Sequence, residues 1–220
     1  MPGPETGSGG EGTEETEKES IPSLKEQAEV YAEMFNLDED EIIEKAKSLQ
    51  SEMSEEERGQ FMFLIFIPTG ITTSQAWKMV EKEFPAEADI NPNEIRSRSQ
   101  GDFYKRGARE TKKGVIAFAR FSREADDDSL GENAQEDKEW WETKQKFMSP
   151  RMGVISIIAF NHLKNQQMHQ RSMTMFPDYI EGDGSGSPVL CYDNGKIILN
   201  WNCFDDVENI GVRRVVSKEF

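Results

Sequence analysis

Histidine and cysteine are nearly absent from this sequence, with two of each in 220 residues, and that scarcity narrows the chemistry. His162 and His169 lie seven apart on an expected helix, but no Cys, His or carboxylate stands at ligand spacing beside them, so no metal site is expected. Cys191 and Cys203 lack the paired short spacing of a zinc site and fit a strand better than a nucleophile, which would need a positioned base. With no charged-then-apolar leader, so few cysteines point to a reducing, cytoplasmic setting and against a disulfide framework. Long apolar runs are missing too. The longest, Phe61 to Ile67, is seven residues, against about 20 needed to cross a bilayer, so no membrane contact is expected. Neither Gly-x-Gly-x-x-Gly nor a Gly-Lys-Ser/Thr ending occurs. The stretch Glu181 to Tyr192 opens like a calcium loop but places Pro188 and Tyr192 where that loop needs an apolar residue and a glutamate. No residue set names a reaction and no cofactor is implied, which gives the reading of a non-enzymatic protein.

What the sequence does have is charge sorted into blocks. Residues 1–60 hold 5 basic and 18 acidic side chains, a net of −13, while residues 95–123 hold 9 and 2, a net of +7. Residues 124–142 return to 1 and 9 (−8), and residues 143–177 carry 5 basic and no acidic residues (+5). The total of −16 therefore hides two cationic stretches, and the local field, not the sum, decides what a surface attracts.

Residues 1–20 combine Gly, Pro, Glu, Ser and Thr with almost no apolar side chains, which predicts a disordered acidic arm. Residues 21–177 read as a helical core domain. Leu24, Ala28, Tyr31 and Phe35 are at helical spacing, and Asp38 with Glu41, then Ser54 with Glu57, have the reciprocal capping arrangement. The third helix is expected from Glu55 to about Ile67, a fourth is capped by Thr73 or Ser74, and Asn91-Pro92 starts another. Glycines 101, 107 and 114 predict a broken helix between Ile95 and Arg123. Glu124 to Asn133 reads as a solvated loop before a Trp140-Trp141 helix, and Ser149-Pro150 starts a helix with Val154, Ile155, Ile158 and Leu163 inward.

Residues 178–220 read as a linker plus a β-hairpin packed on the core. Asn194-Gly195 between β-rich runs predicts a two-residue turn with Tyr192 facing Ile197 and Leu190 facing Leu199, and Val212 to Val216 as a third strand. The predicted fold class is mainly α, with a small C-terminal antiparallel β-hairpin or sheet and the acidic arm.

The two basic blocks are the candidate nucleic-acid-binding residues: Arg96, Arg98, Lys105, Arg106, Arg109, Lys112, Lys113, Arg120 and Arg123, helped by Lys144, Lys146, Arg151, Lys164 and Arg171. Phosphates need cations along a path, and single-stranded bases also stack on aromatic planes, which Phe103, Tyr104, Phe118 and Phe121 supply. Acidic arm, helical core and internal basic track together resemble, in layout, the coat or nucleocapsid subunits of RNA viruses with flexible filaments. The resemblance implies an RNA-binding subunit that self-assembles in the cytoplasm or a virion, with the Met168 to Phe176 stretch as an adaptable contact surface. The other reading is a cytosolic adaptor or scaffold that holds a basic protein partner through its acidic N-terminal region.

Overall fold

The computed structural model describes residues 20–89, 104–105, 108–109, 112–126, 146–169, 172–176, 186–203 and 210–220. Its first elements follow the capping signals. Helix α1, Leu24–Phe35, begins at a reciprocal box between Ser23 and Glu26 and ends at Asn36 in the left-handed region. Asp38 caps α2, Glu39–Glu52, by accepting the Asp40 amide, and not through the reciprocal box with Glu41 that the sequence predicts. Ser54 and Glu57 cap α3 reciprocally, but α3 stops at Gln60 (Glu55–Gln60). From there the chain is extended. Phe61–Ile67 forms strand β1 and not the end of the expected third helix. Residues 63–67 are all buried, and five consecutive buried apolar residues, rich in Phe and Ile, suit a strand covered on both faces.

Helix α4, Thr73–Glu83, starts one residue earlier than expected, with Thr72 as cap in a box with Gln75, and buries Ala76, Trp77 and Val80. Short strands β2 (Ala88–Asp89), β3 (Tyr104–Lys105) and β4 (Ala108–Arg109) precede β5, Val115–Arg120. Strands β3, β4 and β5 overturn the broken helix expected between Ile95 and Arg123 wherever that stretch is described, and residues 95–103 lie outside the described residues. Then come β6 (Lys146–Phe147), helix α5 (Pro150–Lys164), β7 (Met173–Met175), β8 (Gly186–Asp193), β9 (Lys196–Cys203), β10 (Ile210–Gly211) and β11 (Arg214–Glu219). The helix starts expected at Asn91 and around Trp140-Trp141 and the loop after Asp126 lie outside the described residues, as does the arm before Ser20.

The fold class is therefore a mixture of α and β, and the mainly α expectation is wrong. Among the described residues five helices alternate with eleven strands. One sheet has the order β1-β5-β11-β6 with every pairing antiparallel. A second has the order β10-β7-β8-β9-β2, and β3 pairs with β4 separately. The hairpin β8/β9 turns at Asn194 and Gly195, with φ of 48° and 78°, and its register pairs Tyr192 with Ile197 and Leu190 with Leu199 as the sequence predicts. The third strand does not join it. Instead β11 inserts between β5 and β6 in the first sheet, and β7 and β9's partner β2 complete the second.

Helix α5 packs against α1, α4, β1 and β8. Every residue from Pro150 to Phe160 is buried, Arg151 and Ser156 included, so this part of the helix is enclosed on every side. Close approach at Gly153 permits this. A Cβ there would lie 2.6 Å from the Phe176 ring and 3.2 Å from Leu190. One cluster holds Tyr31, Phe63, Phe118, Ile155, Phe176, Leu190 and Val215 together, so the hairpin and the helices share a core. Met168, Met175 and Phe176 are buried, which removes most of the expected adaptable Met surface.

The first sheet's β1 edge is closed by side chains. Gln27 of α1 accepts from the Leu64 amide at 2.7 Å and donates to the Met62 carbonyl at 3.0 Å, and the Tyr31 hydroxyl donates to the Leu64 carbonyl at 2.7 Å. At the other edge, among the described residues, β6 pairs with Arg214 and Val215.

Candidate nucleic-acid interface

Strand β5 divides the first basic block between its two ends. Lys112 and Lys113 precede it, and Arg120 and Arg123 end and follow it. Seven residues of strand at about 3.3 Å each put Lys113 and Arg120 about 23 Å apart. Lys113 is exposed and lies 3.6 Å from the Glu219 carboxylate, while Lys112 is exposed beside it. Lys105 and Arg109 belong to β3 and β4, in register with Ala108 and Tyr104. Arg96, Arg98, Arg106, Lys144 and Arg171 lie outside the described residues.

The far end of β5 is where the two blocks meet. An open groove of about 670 Å³ is lined by Glu56 and Glu57 of α3 on one wall and by Arg120, Lys146, Arg214 and Ser217 on the other. Arg120 comes from the first block and Lys146 from the second. Register explains the meeting, since Val215 of β11 pairs with Ala119 on one side and Lys146 on the other. Lys146 is exposed and donates to the Ser217 carbonyl at 2.7 Å. Close by, Arg123 Nε donates to the Gln167 carbonyl at 3.0 Å, and Lys164 Nζ sits 5.2 Å over the Phe121 ring. Among the described residues the groove's lining carries three basic side chains (Arg120, Lys146, Arg214) and two carboxylates (Glu56, Glu57).

Two charged groups beside Arg214, Asp126 and Arg213, are buried, and Arg213 Nε and Nη1 have no hydrogen-bond partner among the described residues. Burial raises the Asp126 carboxyl, while the Arg214 amide at 2.9 Å and the charges of Arg213, Arg120 and Arg214 pull it back. Arg213 is 1 % exposed and donates from Nη2 to the carbonyls of Ser122 (2.8 Å) and Glu124. Burial lowers its guanidinium to about 10, against the stabilising charges of Asp126 and Glu124. This is a structural arginine under a surface one. The sequence reading missed Arg213 and Arg214 because Val212 to Val216 was read only as a strand; the adjacent pair of arginines was the available signal.

Arg151 does not belong to any surface. It is 2 % exposed, and its Nη1 donates to the carbonyls of Ile71 (2.9 Å) and Lys113 (3.0 Å), tying two loops to α5. Phe118 is core as well, 1 % exposed, and Phe121 packs at 5.5 Å from both Phe63 and Phe160, so neither offers a free stacking face.

The histidines are separate from each other and from the groove's lining. His162 Nε2 lies 2.8 Å from the Glu83 carboxylate on α4. His169 is 1 % exposed, adopts φ of 61° and faces the Thr174 hydroxyl at 3.2 Å. Among the described residues there is no group of three or more His, Cys, Asp or Glu placed to hold a metal ion, and no helix is long and apolar enough to cross a membrane. No protein-family model, no curated protein and no solved structure matches this chain.

Proposed function

We propose that the chain is a non-enzymatic structural subunit that coats single-stranded RNA through sequence-independent phosphate contacts and assembles with copies of itself, in the cytoplasm or a virion. The observation that carries this reading is the convergence of Arg120, Lys146 and Arg214, 26 and 68 residues apart in sequence, on one groove. An open trough with charged walls suits a backbone that is tracked and not read, because phosphate contacts supply affinity without base information. Glu56 and Glu57 of α3 share the groove with these cations, while carboxylates farther than about 8–10 Å from it are screened in physiological salt.

Fluorescence anisotropy with a labelled 20-nucleotide uridine oligomer tests the proposal. Binding is expected to weaken steeply between 50 and 200 mM salt, and Lys146→Glu combined with Arg214→Glu is expected to reduce affinity at least tenfold in protein whose unfolding midpoint is retained. Absence of binding at 50 mM salt overturns it.

One observation favours the adaptor reading. From Leu24 to Gln60 the helices carry 12 acidic and 4 basic side chains, and Glu29, Glu33, Asp40, Glu44, Glu52 and Glu55 are exposed. Such a face suits a basic protein partner. Under that reading Glu29→Lys with Glu33→Lys and Glu44→Lys abolishes partner binding, and the purified protein is a small particle free of nucleic acid.

A further inference from the structure

Ser54 is the one serine or threonine of the chain that is followed directly by three acidic residues, Glu55, Glu56 and Glu57. Helix capping accounts for the last of them. Glu57 accepts from the Ser54 amide at 2.7 Å, and Ser54 Oγ accepts from the Glu57 amide at 3.2 Å. Those two hydrogen bonds hold the Glu57 carboxyl below its ordinary value, so it is ionised at neutral pH. Glu55 and Glu56 take no part in the box, and both are exposed, as is Ser54 itself. A hydroxyl followed by carboxylates at the next three positions is the charge pattern that acid-directed protein kinases read with basic pockets.

The segment is also one the protein can open at low cost. No residue of α3 is buried, so unwinding it exposes no core. Besides the box, it is held by Arg58 Nη1, which donates to the carbonyls of Met53 (2.7 Å) and Gln50 (3.2 Å). Met53, just before the acceptor, is 4 % exposed and anchors the chain there. An opening confined to α3 therefore presents the hydroxyl and its three carboxylates together. Ser54 lines the same groove as Arg120, Lys146 and Arg214. Lys146 is exposed, and its bond to the Ser217 carbonyl uses one of the three N–H donors of its ammonium group.

We propose that Ser54 is a phosphorylation site for an acid-directed serine kinase, and that its phosphate closes the groove by pairing with Lys146 and the arginines beside it. The kinase transfers the γ-phosphoryl group of ATP. The bond from Ser54 Oγ to phosphorus forms as the bond from phosphorus to the β,γ-bridging oxygen breaks, ADP leaves, and the hydroxyl proton passes through the kinase's base to solvent. The product carries a charge of about −1.5 to −2 at pH 7. Repulsion from the Glu57 carboxylate breaks the reciprocal box, and the cations that relieve this charge are those of the opposite wall. A phosphate seated there meets the side chains that a nucleic-acid backbone would meet, and so competes with it. The competition rests on the RNA reading above; the modification and its pairing with Lys146 do not.

Three measurements on the full chain test it. Casein kinase II with ATP is expected to place a phosphate on the peptide carrying Ser54, read by mass spectrometry of the folded protein. Ser54→Asn keeps a capping acceptor and gives the unmodifiable control. Phosphorus NMR is expected to give the phosphoserine a lower second pKa in the native sequence than in Lys146→Gln, because the ammonium favours the dianion. The phosphorylated chain is expected to bind the uridine oligomer at least about tenfold more weakly at about 50 mM salt, while kinase-treated Ser54→Asn binds as before. No phosphate on Ser54 overturns the site. Equal phosphoserine pKa values with and without Lys146 overturn the pairing. RNA affinity untouched by the phosphate overturns the closure. A shifted phosphoserine in a chain that binds no RNA even when unmodified leaves the site and the pairing standing and removes the RNA reading instead.

Discussion

Gln27 substitutes for a missing β-strand beside Leu64: its amide oxygen accepts the Leu64 N–H at 2.7 Å, while its amide nitrogen donates to the Met62 carbonyl at 3.0 Å. A carboxamide carries the same donor and acceptor as a peptide group, so one buried side chain closes an edge that would otherwise present unpaired main chain. Replacement by Leu leaves both groups buried and unmet. At about 1–3 kcal/mol for each unsatisfied group, Gln27→Leu is expected to lower stability by about 3 kcal/mol. Urea unfolding with an unchanged m-value checks this; a loss under 1 kcal/mol contradicts the sealing role.

Arg151 and Lys146 belonged to the same cationic block in the sequence and sit in opposite environments, which separates their effects. Arg151→Met removes the buried donor to two partly buried carbonyls, those of Ile71 and Lys113, and is expected to cost about 2 kcal/mol of stability. It leaves the salt dependence of RNA binding as it was. Lys146→Gln does the reverse, keeping the unfolding midpoint and reducing the slope of log K against log salt by about 0.7–0.9, one phosphate contact. Equal salt slopes in the two variants contradict this division.

His169 makes stability depend on pH. Burial, reinforced by the Arg213 charge, lowers its pKa well below the ordinary 6.5, so the folded protein holds it neutral while the unfolded chain takes up a proton below that value. A depressed folded-state pKa gives stability that is complete above 6.5 and declines as pH falls, by at most about 1.4 kcal/mol per pH unit. Asp126, raised by burial, works in the opposite direction, favouring the folded state as pH falls toward its own ordinary value of 3.8. His169→Asn tolerates the positive φ and is expected to flatten the stability profile between pH 7 and 5. An unchanged profile removes His169 as the cause.

Local signals in the sequence were read correctly where a side chain talks to its own neighbourhood. The Ser54-Glu57 box and the Asn194-Gly195 turn act within four residues, and both form where they were expected. Misreadings came where partners are distant. Phe61 to Ile67 follows a genuine helix start, and an uninterrupted apolar run fits a buried helix and a two-face-buried strand equally until β5 is known to lie alongside. Val115 to Ala119 was hidden in the same way, by glycines and cations on either side that looked like punctuation within a helix. Strand β11 was assigned to the hairpin because it follows it, and its real partners lie 96 to 104 residues back in β5 and 67 to 69 residues back in β6. For the site, charge blocks pointed to Arg120 and Lys146 but could not sort Arg151 from them, because α5 is enclosed on every side and has no outer face at that position.

Because β11 occupies an inner position of its sheet although it comes from residues 214–219, the order of synthesis and the order of assembly conflict. As the polypeptide leaves the ribosome, β1 and β5 meet early and leave one flank of β5 bare until nearly a hundred further residues have been translated. Throughout that interval a sticky β-ladder waits for its last rung, and the nascent protein depends on chaperones or on speed to keep other chains from supplying it.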